Sequence, residues 1–337
     1  MSRPASAMLP GRMSTMKAIV HHRYGPPEVL QPADLPRPVP ADGEVLIRTR
    51  AASVTSSDGA FRAGDPFFAR LATGLLRPRR PVLGDGVAGE VEAVGSGVQR
   101  FRPGERVVAV TGVRMGGYAE FLRVSADGVA PVPDGVSFED AVAVTEGGLT
   151  ALPFLRDHAR VRSGQRVLVN GASGAVGTAA VLLAKHFGAV VTGVCSAANV
   201  ELVRSLGADE VIDYTRADFT DGRDAYDVIF DAVGKSSFRR CRPALRAGGI
   251  YLTTVPSLPA LLQGLWTRRF GSHRAVLAFT GLRPAAAKAA DMVVLTELAA
   301  SGEVPAVVDR RWPLAEAAEA HRYVDRGRKR GVVLLTV

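Results

Sequence analysis

The stretch that most constrains this chain is Asn170–Gly177, which reads NGASGAVG. It follows RVLVN, a short apolar strand pattern, and runs into AVGTAAVLLAKHF, whose apolar residues recur with helical spacing. Three glycines in eight residues could make a bare surface turn. Between a strand and a helix, the same glycines make a cradle for a pyrophosphate. Gly174 lets backbone approach the phosphates, and Gly177 lets the helix pack close to the sheet. The helix start supplies free N–H groups and a partial positive charge. The first glycine of the usual G-x-G-x-x-G is replaced by Ala172, with Gly171 just before it. The cradle candidates are Gly171, Ser173, Gly174, Ala175, Val176 and Gly177.

The rhythm around this turn fixes the class. Upstream, roughly 16–137, short β-rich runs such as MKAIVHH, EVLIRTRAASV, VAGEVEAV and ERVVAV are punctuated by Gly and Pro, a barrel-like pattern. FEDAVAVTEGGLTALPFLRDHA then reads as a helical stretch interrupted around Gly147 and Gly148. From Arg166 strands alternate with helices, which means a parallel sheet covered on both faces. Beyond 278 come an Ala-rich helix, a shorter helix, and GVVLLTV, a terminal strand with no place in the parallel series. At 337 residues the chain suggests two domains. Residues 1–15 read as a loose leader without the apolar run of a signal peptide. The uncharged stretch 167–184 has the length of a membrane span, but its Asn, Ser, Thr and glycines favour strand, turn and helix. Two cysteines, Cys195 and Cys241, cannot build a disulfide framework, so a reducing cytoplasm fits.

An NAD site wants an acid near the end of the second strand to bond the ribose 2′-hydroxyl. Here VTGVCSAAN offers Ser196 and Asn199, and no carboxylate before Glu201. That favours NADPH over NADH, although no arginine lies in this loop. The formal charge is +9, and only five of the 42 basic residues are lysine. LRPRRP (76–81) and WTRRF (266–270) invite a nucleic-acid reading, but no nucleic-acid motif accompanies them. A solvated arginine-rich surface is the plainer expectation.

With these residues in view, the chain resembles the medium-chain dehydrogenase/reductase superfamily, in its zinc-free quinone oxidoreductase branch. The likeness runs through MKAIV with YGPPEVL, GDGVAGEVEAVGSGVQRFRPGERV, GGYAEF, GLTAL, NGASGAVG, LGADEVIDY and AHRYVDRGRKRG. It implies an α/β protein: a GroES-like β-rich barrel domain from 16–137 and 279–337, and a Rossmann doubly wound parallel-sheet domain, 138–278, inserted between. It places Thr150 near the nicotinamide, Tyr214 by the adenosine 2′-phosphate, and Val233 and Gly234 beside the nicotinamide ribose. Thr253, within GGIYLTTV, joins these cofactor candidates. Relatives often carry a lysine near Asn199, which is absent here; the basic tail Arg328, Lys329 and Arg330 could compensate. The resemblance also implies a homodimer.

Zinc alcohol dehydrogenases of the superfamily use a first-domain cysteine and a G-H-E segment. Here those places hold Thr55 and Gly84-Asp85-Gly86, and the four-cysteine structural zinc loop is absent. A catalytic zinc needs about three protein ligands, which these residues do not supply, so no metal is expected. Without a Lewis acid, oxidising a simple alcohol is hard, whereas a conjugated acceptor spreads the incoming charge onto an oxygen. The expected function is reduction of a quinone or α,β-unsaturated carbonyl with NADPH. An alkenal or enoyl reductase, or a crystallin-like NADPH-binding protein without turnover, remain the alternatives. Thr55 is the candidate polar substrate contact, with Ser56 and Ser57 beside it. Asp58 reads as structural rather than as a general base. Leu258, Leu261, Leu262, Leu265 and Trp266 read as core or interface ahead of a substrate pocket.

Overall fold

The computed structural model describes residues 14–337 apart from 66, 68 and 69, so most of the expected leader lies outside the described residues. Thr15, placed in that leader, already begins β1 (Thr15–Val20). β1 pairs antiparallel with β2 (Gln31–Pro36). Next come β3 (Glu44–Val54), α1 (Ser56–Ala63), α2 (Arg70–Thr73), β4 (Gly86–Val94), β5 (Arg106–Val110), β6 (Phe121–Ser125) and β7 (Val129–Pro131). After α3 (Phe138–Pro153), strands and helices alternate: β8 (Arg166–Asn170), α4 (Ala175–His186), β9 (Val190–Cys195), α5 (Val200–Ser205) and β10 (Glu210–Asp213). The series continues with β11 (Tyr226–Asp231), α6 (Phe238–Cys241), β12 (Leu245–Thr253), α7 (Leu258–Arg269) and β13 (Arg274–Leu277). The chain ends with α8 (Ala285–Ala300), β14 (Val308–Pro313), α9 (Ala317–Asp325) and β15 (Val332–Thr336).

Two larger sheets result. The first has the order β14-β15-β3-β4-β5-β7, with β6 also on β3. β15 lies antiparallel to β3, so the terminal strand closes onto the first sheet. β14, which the sequence reading did not register, lies parallel on its far edge. The second sheet is parallel throughout, in the order β10-β9-β8-β11-β12-β13. Numbered from β8 this is 3-2-1-4-5-6, and the order reverses between β8 and β11. A crevice at such a reversal, beyond the carboxyl ends of the strands, is where this architecture takes ligands.

The cores explain the strand patterns. β8 is buried on both faces: Val167 and Val169 pack on the α4 side, and Leu168 packs with Phe238, Cys241 and Ala244 on the other. Burial on both faces is what a continuous apolar run encodes. β3 instead divides its residues, with Val45, Ile47 and Val54 in the barrel core and Ala51 toward α3.

α3 runs unbroken through Gly147 and Gly148, against the expected interruption. A Cβ on Gly147 would lie 2.1 Å from the Ala175 carbonyl oxygen, and one on Gly148 would lie 2.6 Å from Leu295. The glycines are there so that α3 can press onto α4 and α8, a tertiary reason that outweighs their poor helix propensity.

Candidate functional site

The glycine turn divides its work among three positions. Gly171 takes φ +82°, and a Cβ there would meet Val233 at 2.4 Å. It makes the tight turn that Ala172 could not. A Cβ on Gly177 would lie 2.0 Å from the Gly171 carbonyl oxygen, so this glycine permits the helix–strand contact. Gly174 differs. It is the N-cap of α4 and offers no side-chain cap, and its missing Cβ faces only the Gly171 oxygen at 3.7 Å. The space beside Gly174 at the start of α4 is therefore open, and a helix start without a side-chain cap leaves N–H groups for an anion.

The basic tail comes to this turn. The Gly331 N–H donates to the Ser173 carbonyl at 2.9 Å, and Gly331 bridges Gly174 in parallel. Lys329 Nζ lies 3.9 Å from Glu146 Oε1, while Glu146 Oε2 is buried without a hydrogen-bond partner. Arg328 and Arg330 are exposed. An orphaned carboxylate oxygen beside an uncapped helix start suits a ligand carrying both phosphate and hydroxyl or amide donors. On those two observations the cradle fits a dinucleotide. Glu146 gave no sequence signal, because it sits in mid-helix with no motif around it.

At the far end, Asn199 Nδ2 donates to Ser173 Oγ at 3.0 Å, joining the second strand's loop to the cradle. Ser196 follows Cys195 at the end of β9. The Tyr214 N–H donates to the Cys195 carbonyl at 3.1 Å, and its side chain is 60% exposed. The pairing of Asp213 with Cys195 also brings a carboxylate here, one that sequence spacing missed because it arrives from the third strand. Bonds from Thr215 and the nearby Arg216 hold that carboxyl below its usual pKa.

A second carboxylate organises the strand ends where the order reverses between β8 and β11. Asp231 is fully buried. It accepts from Asn170 Nδ2 at 2.9 Å, Tyr251 Oη at 2.9 Å, and the N–H groups of Gly234 at 2.9 Å and Ser236 at 3.0 Å. These bonds fix the turn carrying Val233, which is exposed, and Gly234, whose φ is +65°. Thr253 ends β12 directly beside Asp231.

The other wall comes from the first sheet. Val54, ending β3, pairs with Val333, two residues from Gly331 at the glycine turn. Thr55 thus follows a strand end that β15 ties to the glycine turn. It caps α1: Thr55 Oγ1 accepts from the Asp58 N–H at 2.9 Å and donates to Asp58 Oδ2 at 2.8 Å. Thr150 faces Thr280, 3.5 Å between hydroxyls. Asp85 bonds the Gly112 N–H, and burial raises its pKa. Among the described residues, no group of three or more His, Cys, Asp or Glu could hold a metal. Thr55 is committed to its cap, and Gly86 has no side chain to ligate with.

The α7 residues depart from the core half of their expectation, while the interface half is left open. Leu258, Leu261, Leu262, Leu265 and Trp266 are between 44% and 69% exposed, so they are not core. α7 buries only Thr267, whose hydroxyl accepts the Ala275 N–H on β13. Among the described residues, no helix is long and apolar enough to cross a membrane. The uncharged stretch 167–184 forms β8, the glycine turn and α4, as its Asn, Ser, Thr and glycines favour.

Comparison with known proteins agrees with this geometry. Residues 41–134 match the alcohol dehydrogenase GroES-like domain, and residues 206–335 match a family described as zinc-binding dehydrogenase. A quinone oxidoreductase of Pseudomonas aeruginosa is 32% identical over 335 residues, covering 95% of this chain and 99% of that protein. The solved quinone oxidoreductase of Coxiella burnetii superposes with a TM-score of 0.85 at 29% identity, over 96% of this chain and 100% of that one. The Escherichia coli quinone oxidoreductase, solved in complex with NADPH, gives a TM-score of 0.81 at 27% identity, over 95% and 100% of the two chains. A GroES-like sheet, a doubly wound parallel sheet and the glycine turn between them thus belong to an oxidoreductase of the medium-chain dehydrogenase/reductase superfamily, in its quinone oxidoreductase-like branch.

Proposed function

We propose that this chain is an NADPH-dependent, zinc-independent reductase of quinones or α,β-unsaturated carbonyls. The observation that carries the reading is the uncapped start of α4 at Gly174, open on the side where a Cβ would stand and joined through Gly331 to the strand end bearing Thr55. Gly171, Ser173, Gly174, Ala175, Val176 and Gly177 would hold the pyrophosphate. Glu146, Thr150, Val233, Gly234 and Thr253 would flank the nicotinamide half, and Ser196, Asn199, Tyr214, Arg328 and Lys329 the adenosine half. When bound, NADPH supplies a hydride. The protein's own part is to orient the acceptor between Thr150 and Thr55 and to exclude water from the crevice.

The zinc-independent part of the reading rests on the donor set, since Thr55 and Gly86 stand where the zinc dehydrogenases carry ligands. The division into 16–137 with 279–337, and 138–278, belongs to the same proposal. So do a cytoplasmic location and a homodimer, for which the apolar face of α7 is the available surface.

Asp213 beside Ser196 gives NADH a competing claim. Titrating both cofactors, then following NADPH absorbance with quinones, enones and alkenals, tests the proposal. Tight NADPH binding and quinone turnover are expected. Turnover of alkenals alone moves the substrate class. Binding without turnover across the panel moves the chain to a non-catalytic role, and failure to bind either cofactor overturns the reading.

A further inference from the structure

Behind Thr55 lies a buried polar chain that cofactor binding does not use. Asp58 is 1% exposed. Its carboxyl receives the Thr55 N–H at 2.9 Å, the Thr55 hydroxyl at 2.8 Å and the Gly84 N–H at 3.3 Å. Tyr118, fully buried, also directs its hydroxyl to Asp58. Beyond it, Tyr118 Oη meets His321 Nε2 at 3.1 Å, and His321 Nδ1 meets Arg62 Nη1 at 2.8 Å. Arg62 Nη2 closes the chain on Asp325 at 2.8 Å.

The order of donors follows from chemistry. Arginine is always a donor, so His321 Nδ1 accepts and Nε2 carries the hydrogen. His321 then donates to Tyr118, and Tyr118 donates to Asp58. Arg62, His321 and Tyr118 are positioning residues. They cannot pass a proton along, because that would strip arginine of one it does not release. The chain ends on Asp58, whose other side-chain hydrogen-bond partner among the described residues is Thr55.

While Asp58 is ionised, the Thr55 hydroxyl hydrogen points at the carboxylate and is not available to a substrate. Once Asp58 takes a proton, it donates to Thr55 Oγ1, and the Thr55 hydrogen is free to point outward. Resting on the reductase reading above, we infer that Asp58 is the proton reservoir for the reduced acceptor, delivering through the Thr55 hydroxyl.

In that step the negative oxygen of the reduced acceptor takes the Thr55 hydroxyl proton as Thr55 Oγ1 takes the Asp58 proton. One O–H bond forms on the product, one O–H bond at Asp58 breaks, and Asp58 is left as carboxylate. No electrons move beyond the pair already supplied by NADPH. Water entering the open cleft after product release reloads Asp58 through Thr55.

The groups facing Asp58 favour its holding a proton in the working range. Burial is the largest influence, the Asp85 carboxylate adds to it, and the Thr55 and Gly84 bonds oppose it, leaving Asp58 raised to about 6. Tyr118 faces it as a neutral group, and a neutral His321 and then Arg62 stand beyond Tyr118. The same balance predicts a measurable pH profile.

The test measures kcat/KM for a quinone at saturating NADPH from about pH 5.5 to about pH 8.5, in wild type, Asp58→Asn, Thr55→Ser and Thr55→Val. NADPH binding and the solvent deuterium isotope effect accompany it. Wild type is expected to break near pH 6 and to fall about tenfold per pH unit above it. Asp58→Asn should bind NADPH normally, lose the break, and run at least about tenfold slower at the acid end. Thr55→Ser should keep the wild-type profile, and Thr55→Val should lose both rate and break.

Infrared difference spectra of wild type between pH 5 and pH 7 should show a carboxylic acid band disappearing. This arm stands even where Asp58→Asn fails to fold. An unchanged break in Asp58→Asn, wild-type rate in Thr55→Val, or no titrating buried acid overturns the inference while leaving the reductase intact. Absence of turnover with every acceptor overturns the reductase reading itself.

Discussion

Two alanine substitutions in the glycine turn separate folding from binding. At Gly177 an added Cβ would stand 2.0 Å from the Gly171 carbonyl oxygen and 2.8 Å from Ala172 Cα, both backbone atoms. Ordinary contact begins near 3.4 Å, so the start of α4 must move by about 1.4 Å. Overpacking of this kind costs roughly 1–3 kcal/mol. At about 2–4 °C per kcal/mol, Gly177→Ala should melt roughly 2–12 °C lower without cofactor.

At Gly174 the backbone is extended, with φ −82° and ψ 172°, and the new methyl meets only one atom, at 3.7 Å. Gly174→Ala should therefore change the cofactor-free stability by less than about 1 kcal/mol, the range of an N-cap exchange. Its methyl would occupy the space the phosphates need. Losing one or two charge-assisted hydrogen bonds there costs about 3 kcal/mol, or roughly 100-fold in Kd. Thermal melts without cofactor and NADPH fluorescence titrations read the two effects. Gly174→Ala binding NADPH within about twofold of wild type would refute the placement of the pyrophosphate.

Three further outcomes follow from the same geometry. Burial, with Arg62 nearby, lowers the His321 pKa to about 3. Its stability contribution is therefore whole above the ordinary 6.5 and drains away as pH falls toward 3. Asp58, raised to about 6 from 3.8, contributes in the opposite sense, fully below 3.8 and lost as pH rises through 6. Between pH 6 and pH 4 the two nearly cancel in wild type. In Asp58→Asn only the histidine remains, and urea midpoints should lose about 1.4 kcal/mol more per pH unit of acidification than in wild type. Gly331→Ala should destabilise by roughly 1–3 kcal/mol in thermal melts, because φ is +85° and its Cβ would lie 2.2 Å from the Val307 carbonyl oxygen. Asp231→Ala leaves buried donors on Asn170 and Tyr251 unpaired. It should cost about 3–5 kcal/mol in denaturant unfolding and abolish NADPH binding, whereas Asp231→Asn, which can still accept, should retain part of both.

Much of this was legible along the chain, and the reasons are local. RVLVN followed by NGASGAVG and a helical pattern needs no distant residue to declare a strand, a tight turn and an open helix start, because each is set by neighbours within a few positions. The alternation after Arg166 likewise announces a parallel sheet, since a strand buried on both faces reads apolar throughout. Gly147 and Gly148 were misread for the opposite reason. Locally they look like breaks in α3, and only the approach of α4 and Leu295 shows that they are contacts.

The sequence by itself determined the class of fold, the glycine turn between β8 and α4, and the residue types beside it. Tertiary structure alone decided what meets there. Gly331 reaches Ser173 across 158 positions of chain, Glu146 is left with an unpaired oxygen beside Lys329, and Asp213 arrives at Ser196 from another strand. The Asp58–Tyr118–His321–Arg62 chain is gathered from α1, the loop before β6 and α9. Periodicity and spacing record only what lies within a few residues, whereas burial and pairing between distant segments exist only once the two sheets have closed on each other.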